Sequence, residues 1–286
     1  MRYSKIVQFS DSLLENLKSL ADIIWNSKFN HSFSSDGQKL INKNIVIIGN
    51  GPSLQHCLED NSQFLNGSSK MVLNFFPLTD KFSVLKPEYY SLVDYGAHYF
   101  KKHNSDFIKS NTSRLLYIFE KVDWPLTLFF SFTHKNSDFV SSISNLNNKN
   151  LVIKFFNTSY VGGFWFYKKF ALLNGLGLPS TRNVSLVAIY IAILLKFKTI
   201  NLVGFNHDWM NRLSVNEAND ILVNDIHYSN NDTGNIIKWD TTMTKLSFGW
   251  FKIFSAHEDL NRLSECLNIS IINRSKDSLI DAYKKG

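Results

Sequence analysis

Hydrophobic and polar positions along this chain follow two rhythms. Leu13, Leu14, Leu17, Leu20, Ile23 and Ile24 recur at helical spacing, and Ser10 and Asp11 can cap the start of that helix. Residues 30–43 are polar and read as a linker. Residues 1–43 are therefore expected to form an N-terminal helical extension, and residues 44–286 the main domain.

From residue 44 the pattern changes to short, continuous apolar runs rich in β-branched residues. Residues 44–48, 71–73, 89–93, 115–119, 151–155, 199–203 and 269–272 each read as a strand. Helices are expected from Ser53 onward, over 186–196, over 242–267 and, last, over 278–284. Residues 205–240 are polar and read as a long loop, a feature that is usually functional or mobile in a compact domain. Strands that are apolar throughout and alternate with helices predict the α/β class: a Rossmann-like, mainly parallel sheet with helices on both faces. Such sheets bind ligands beyond the carboxyl ends of their strands. The polar strand ends at 49–53, Asn74, Asp94 and 206–208 therefore carry the most weight.

The sharpest motif is the first strand-to-helix crossing, Gly49-Asn50-Gly51-Pro52-Ser53. Its two glycines permit a tight turn and close approach of a ligand. Pro52 suits a first helical turn, and Ser53 suits a cap. Free amides and the positive end of the helix dipole would then face a phosphate. The loop lacks the Gly-Lys-Ser/Thr of a Walker A motif, and Leu54 stands where the dinucleotide fingerprint needs its third glycine.

Composition narrows the picture. Hydrophobic residues make up 44% of the 286 positions, enough for a substantial core, and charged residues 19%. The formal net charge is +7, spread as scattered lysines with no Arg-rich arm. An anionic small molecule or a weakly anionic membrane surface therefore suits the chain better than nucleic acid, which is not expected as a partner. Cys57 and Cys266 form no C-x-x-C pair, so a reducing cytoplasm is the simplest setting. The most apolar run, 184–195, is too short to span a bilayer.

The run Ile45-Val46-Ile47-Ile48-Gly49-Asn50-Gly51-Pro52-Ser53-Leu54 resembles the opening of bacterial sialyltransferases of the Campylobacter type. A second segment is similar to that family's second nucleotide segment: Thr181-Arg182-Asn183-Val184-Ser185, an apolar helix, then Ile200-Asn201-Leu202-Val203-Gly204-Phe205-Asn206. Asn206 stands where the family ends its strand in Asp, and the family's Ser-Gly pair is missing at 184–185. A looser likeness covers Ile271-Ile272-Asn273 with Ser275 and Ser278. The first loop also resembles those of motility-associated glycosyltransferases and of pterin pyrophosphokinase-like proteins.

The resemblance implies a GT-A-like sialyltransferase variant of the α/β fold. It implies a metal-independent, inverting transfer of a keto-acid sugar, of sialic acid or Kdo type, from a CMP donor. The acceptor would be a cell-surface glycan precursor, free or lipid-linked, of lipopolysaccharide, O-antigen or capsule. No cofactor is expected beyond the CMP-sugar substrate, and the sequence has no Asp-x-Asp of the kind that holds a metal on a diphosphate. The donor-binding residues carried over are Gly49, Asn50, Gly51, Pro52, Ser53, Asn74, Asp94, Thr181, Arg182, Asn183, Ser185, Gly204 and Asn206. Peripheral membrane association, at the inner face of the cell membrane, and homo-oligomerisation are compatible with all of this.

Direct sugar transfer needs a base for the acceptor hydroxyl and donors for the departing phosphate. The likeness places the base between the Gly204 strand and the C-terminal helix, which favours His227 with Tyr228 as a phosphate donor. His207 is the alternative, with Asp208 to orient it. His257, at helical spacing among Phe254, Leu260 and Leu263, reads as a packed helix residue. The aromatic cluster Tyr160, Phe164, Trp165, Phe166 and Tyr167 reads as core or membrane-facing surface before it reads as a sugar platform. Two rivals remain at this stage. One is a magnesium-dependent phosphotransferase using Asp94 and Asp208, and the other is a non-catalytic nucleotide-binding component of polysaccharide assembly.

Overall fold

A computed structural model describes residues 2–28, 43–55, 57, 62–93, 105–225 and 235–286, with backbone alone at 2–8, 62–63, 105–109, 225 and 235. Eight strands form one sheet: β1 (Asn44–Ile48), β2 (Ser69–Leu73), β3 (Tyr89–Ser91), β4 (Leu126–Ser131), β5 (Leu151–Phe156), β6 (Thr199–Val203), β10 (Ser270–Asn273) and β11 (Lys284–Lys285). Their order is β11-β10-β6-β1-β2-β3-β4-β5, and every pairing is parallel. The expected α/β fold is therefore present. The chain runs outward from β1 to β5 on one side, then returns to the other side of β1 with β6. The gap between β1 and β6 is thus the point where the winding direction reverses.

Side-chain alternation along β1 shows why both faces are covered. Ile45 and Ile47 pack into one apolar layer, and Val46 and Ile48 into the other. The first layer is built around α5 (Val184–Leu194), whose residues from Ser185 to Ile193 are all buried. A helix apolar on every side has to sit in the interior, and this one does. The opposite layer takes Leu115 and Phe119 from α2 (Ser105–Glu120) and Phe139, Val140 and Ile143 from α3 (Asp138–Asn145). The remaining longer helices are α1 (Arg2–Asn26), α4 (Trp165–Leu173) and α6 (Met243–Cys266).

Four expectations need correction. Residues 115–119 end α2 instead of forming a strand. Their buried positions Leu115 and Phe119 are one helical turn apart, while Tyr117 between them is 58% exposed. The strand paired to β5 is β4, which the sequence reading passed over. Residues 205–240 are not one open loop: β7 (Leu213–Val215), β8 (Ile221–Asp225) and β9 (Asn235–Trp239) form a small antiparallel sheet. Residues 278–284 form no helix, because Ser278 donates to the Phe205 carbonyl at 2.6 Å and the Leu279 amide to that of Asn206 at 2.9 Å. Those bonds tie the segment to the end of β6. The polar 30–43 linker lies almost wholly outside the described residues.

α1 docks through its polar side. Ser19 Oγ donates to the Tyr160 carbonyl at 2.8 Å, and Asn16 Oδ1 accepts the Phe164 amide at 2.9 Å. Its leucine stripe faces outward, with Leu13, Leu17 and Leu20 all exposed. Among the described residues no helix is long and apolar enough to cross a membrane.

Candidate functional site

Two chain segments meet at the β1/β6 reversal. The Gly49 amide donates to the Val203 carbonyl at 2.8 Å, and the Gly51 amide to the Gly204 carbonyl at 3.0 Å. A Cβ on Gly51 would lie 2.5 Å from Asn206 Oδ1 and 2.6 Å from the Gly204 carbonyl oxygen, so only glycine allows this approach. Gly204 itself takes φ +70. Ser53 is buried and donates its hydroxyl to Asn206 Oδ1 at 2.7 Å, and Asn206 Nδ2 donates to the Lys276 carbonyl at 2.9 Å. These bonds correct one expectation. The Gly49, Gly51 and Ser53 amides are committed within the protein and are not free to cradle a phosphate. Among the described residues the Asn50 amide has no acceptor.

Above this seam lies a cavity of about 210 Å³. Its walls come from three places: Gly49 to Pro52 after β1, Asn74 after β2, and Gly204 to Trp209 after β6. Arg182, Asn183, Val184 and Ser185, at the start of α5, and Arg212 close it. Asn183 caps α5 by accepting the Ser185 amide at 2.8 Å. Asn74 adopts φ 47 at the strand end, a left-handed geometry that Asn tolerates better than most residues. Among the described residues Arg182 has no ion-pair partner, whereas Arg212 is paired with Asp208. Asp208 offsets Arg212, so the unpaired Arg182 guanidinium and the helix N-terminus leave the cavity net positive and suited to an anion.

No family model matches this chain, and no curated protein matches it. Among solved structures, a MAf glycosyltransferase from Magnetospirillum magneticum AMB-1 is similar over 86% of this chain and 34% of its own length. The TM-score is 0.47 at 16% identity, too distant to bear on family or activity, and this chain spans about a third of that protein. The sialyltransferase likeness rests on the sequence motifs.

Most of the residues singled out from sequence thus converge. Gly49, Asn50, Gly51, Pro52, Asn74, Arg182, Asn183, Ser185, Gly204, Asn206, His207 and Asp208 share the one cavity. Ser53 sits behind it. Thr181 instead borders a neighbouring cavity of about 270 Å³, together with Glu15, Tyr160, Phe248, Lys252 and the shared Arg182. In that cavity a hydrogen bond from Tyr160, and the nearby Lys252 ammonium, hold the Glu15 carboxyl below its usual range. Asp94, His227 and Tyr228 lie outside the described residues.

His207 is the chemically loaded member. It is buried, takes φ 50, and lies tilted against the Trp209 ring, centroids 4.5 Å apart. Asp208 does not orient it, because that carboxylate is held by Arg212. The ring's Nε2 instead lies 3.3 Å from Ser185 Oγ and 3.1 Å from His257 Nε2, and His257 Nδ1 lies 2.9 Å from the Tyr283 hydroxyl. Burial pushes His207 down to about 3, and burial together with the neighbouring His207 pushes His257 well down. Burial also raises the Tyr283 hydroxyl. The pair is therefore neutral near pH 7. His257 is the packed helix residue that its spacing indicated, and it is also in contact with the site.

Sequence reading missed Arg212, Trp209, His257 and Tyr283 as members of this site. Arg212 and Trp209 carried a local signal, lying four residues from Asp208 and two from His207. The His257 and Tyr283 links span 50 and 26 residues and exist only in the folded chain. Among the described residues no group of three or more His, Cys, Asp or Glu side chains is placed to hold a metal ion.

Proposed function

We propose that this protein is a glycosyltransferase that binds a nucleotide-activated sugar in the cavity between β1 and β6. The observation that carries the reading is the convergence of two segments more than a hundred residues apart on one positively charged cavity at the winding reversal. The α5 N-terminus, Arg182 and the Asn50 amide are the groups that meet the donor phosphate. Asn74 and Asn183 supply amides near the nucleoside and sugar, and Asn206 is the clasp beneath them. The motif likeness refines the donor to a CMP keto-acid sugar, of sialic acid or Kdo type, passed to a cell-surface glycan precursor.

His207 is the base on the described surface of the site, and His227 is the rival outside it. With Nε2 turned to His257, the nitrogen left for an acceptor hydroxyl is Nδ1. That requires the proton on Nε2, donated to His257 Nε2, with His257 Nδ1–H donated to Tyr283. A buried imidazole is poorly suited to hold a positive charge. The acceptor proton taken at Nδ1 leaves the His207–His257 pair with one positive charge, and the departing donor phosphate in the same cavity is the anion that offsets its cost.

Melting the protein with CMP, UDP, GDP, ATP and NAD in parallel tests the donor, because a ligand that binds only the native state raises the melting temperature. Stabilisation by CMP, with transfer from a CMP-sugar lost in His207→Ala or His227→Ala, supports the reading. Stabilisation by ATP alone, with strict magnesium dependence, replaces it by the phosphotransferase reading. CMP binding without transfer leaves a nucleotide-binding protein of polysaccharide assembly.

A further inference from the structure

The outer face of α1 is built the opposite way from an ordinary surface helix. Ser19, Asn16 and Asp22 face the body, where Asp22 accepts the Tyr160 amide. Phe9, Leu13, Leu14, Leu17, Leu20, Ile24 and Trp25 form the outer face, with exposures from 44% to 83%, and Phe9 at its edge touches the body through Phe164, ring centroids 5.2 Å apart. At a turn of 100° per residue these seven fall within one broad face. Asp11, Glu15, Lys18 and Asp22 all fall outside it. Beyond that ring contact, nothing among the described residues covers this face.

We infer that it is covered by a second copy of this chain, with the two α1 helices packed antiparallel about a two-fold axis. Three observations choose this occupant. Leu13, Leu17, Leu20 and Ile24 are spaced four, three and four apart, which is the seam of a two-helix coiled coil. That spacing reads the same in both directions, so a two-fold axis at its midpoint sets Leu13 against Ile24 and Leu17 against Leu20, the self-complementary arrangement of a closed dimer. The seven side chains together expose on the order of 800 Å², the area each partner gives to a standard stable interface. Charge argues against lipid as the occupant. Over Arg2–Asn26 the helix carries Asp11, Glu15 and Asp22 against Arg2, Lys5 and Lys18, so it offers an anionic bilayer no net attraction. The inner face of α1 places Glu15 on the wall of the 270 Å³ cavity, so the dimer holds in place the helix that frames it.

Sedimentation equilibrium of the full chain, over a wide concentration range, tests this directly. The expected mass is twice that of one chain. The Leu17→Glu/Leu20→Glu double variant changes two exposed positions; it should keep the wild-type circular dichroism spectrum and run as a monomer. Leu17→Met/Leu20→Met should remain a dimer. A wild type that is monomeric at every concentration overturns the inference, as does a Glu double variant that stays dimeric. A monomeric wild type that floats with phosphatidylcholine–phosphatidylglycerol vesicles, and loses this with the Glu changes, overturns it in favour of lipid.

Discussion

Asn206 Oδ1 accepts the Ser53 hydroxyl at 2.7 Å, which ties the first crossing of the sheet to the end of β6 across 153 residues. The same oxygen lies 3.3 Å from the Ser53 amide, and Nδ2 donates to the Lys276 carbonyl at 2.9 Å. One side chain therefore holds three segments together beneath the cavity. Asn206→Ala leaves a buried hydroxyl, an amide and a carbonyl without partners, at a cost of roughly 1–3 kcal/mol for each group left unsatisfied. Asn206→Asp restores the strand-end acid of the sialyltransferases but sets a carboxylate against the Lys276 carbonyl. Both variants should unfold at lower urea than wild type with an unchanged slope, and an unchanged midpoint for Asn206→Ala would show that the clasp is idle.

Gly51 is the steric counterpart of that clasp. A Cβ there meets Asn206 Oδ1 at 2.5 Å and the Gly204 carbonyl oxygen at 2.6 Å. Backbone cannot withdraw as a flexible side chain can, so Gly51→Ala is expected to cost about 1–3 kcal/mol. Gly67→Ala is a useful contrast. Unlike Gly51 it has positive φ, +79, and a Cβ there meets nothing within 4 Å, so its strain is conformational alone. Thermal unfolding of the two should separate them: Gly51→Ala should also weaken nucleotide binding, and Gly67→Ala should not.

Much of this was legible because the sheet is parallel. Strands buried on both faces must be apolar throughout, so β1 and β6 stood out at their full lengths; α5, apolar all round, stood out too, though expected over 186–196 and found at Val184–Leu194. The cavity was legible for a related reason: polar residues that directly follow such strands have few other roles. The misreadings share a physical cause. Five apolar residues at 115–119 are too few to distinguish a helical turn from a strand. The 278–284 stretch has helical composition, but the end of β6 takes up Ser278 and Leu279. Periodicity alone gives no sign of which side of α1 faces the body. Ser19 donates to the Tyr160 carbonyl and Asn16 accepts the Phe164 amide, so the polar side docks and the leucines face outward. The Ser185–His207–His257–Tyr283 contacts depend on the tertiary fold and leave no mark on local sequence.

The buried histidines give the fold an acid limit. An imidazole in an unfolded chain titrates near ~6.5. His207 in the fold titrates at about 3, and His257 is also shifted down. Between those values the unfolded state binds more protons than the native one, so stability falls as the pH drops from about 6.5 toward 3 and is flat for these groups above 7. The slope is at most ~1.4 kcal/mol per pH unit for each imidazole. In His257→Gln, one of the two contributions disappears. Urea midpoints measured from pH 7 to pH 4 should fall less steeply for that variant, and a parallel loss in both proteins would assign the acid limit to other groups.

Arg182 separates binding from stability. It is exposed, has no ion-pair partner among the described residues, and stands at the edge of both cavities. Nothing in the fold depends on its charge, so Arg182→Ala should melt within about a degree of wild type, as surface changes away from special features do. A phosphate in the β1/β6 cavity would lose one charge-assisted contact, which is worth ~1.5–3 kcal/mol. CMP affinity should therefore fall roughly ten- to a hundredfold. Arg182→Lys should recover part of it, since lysine keeps the charge and loses the planar fork. Calorimetric titration at two salt concentrations adds a further check. The wild-type affinity should drop with salt, and the Ala variant should be less sensitive, because one exposed cation no longer contributes. Equal CMP affinity in wild type and Arg182→Ala would remove Arg182 from the site and move the anion elsewhere in the protein.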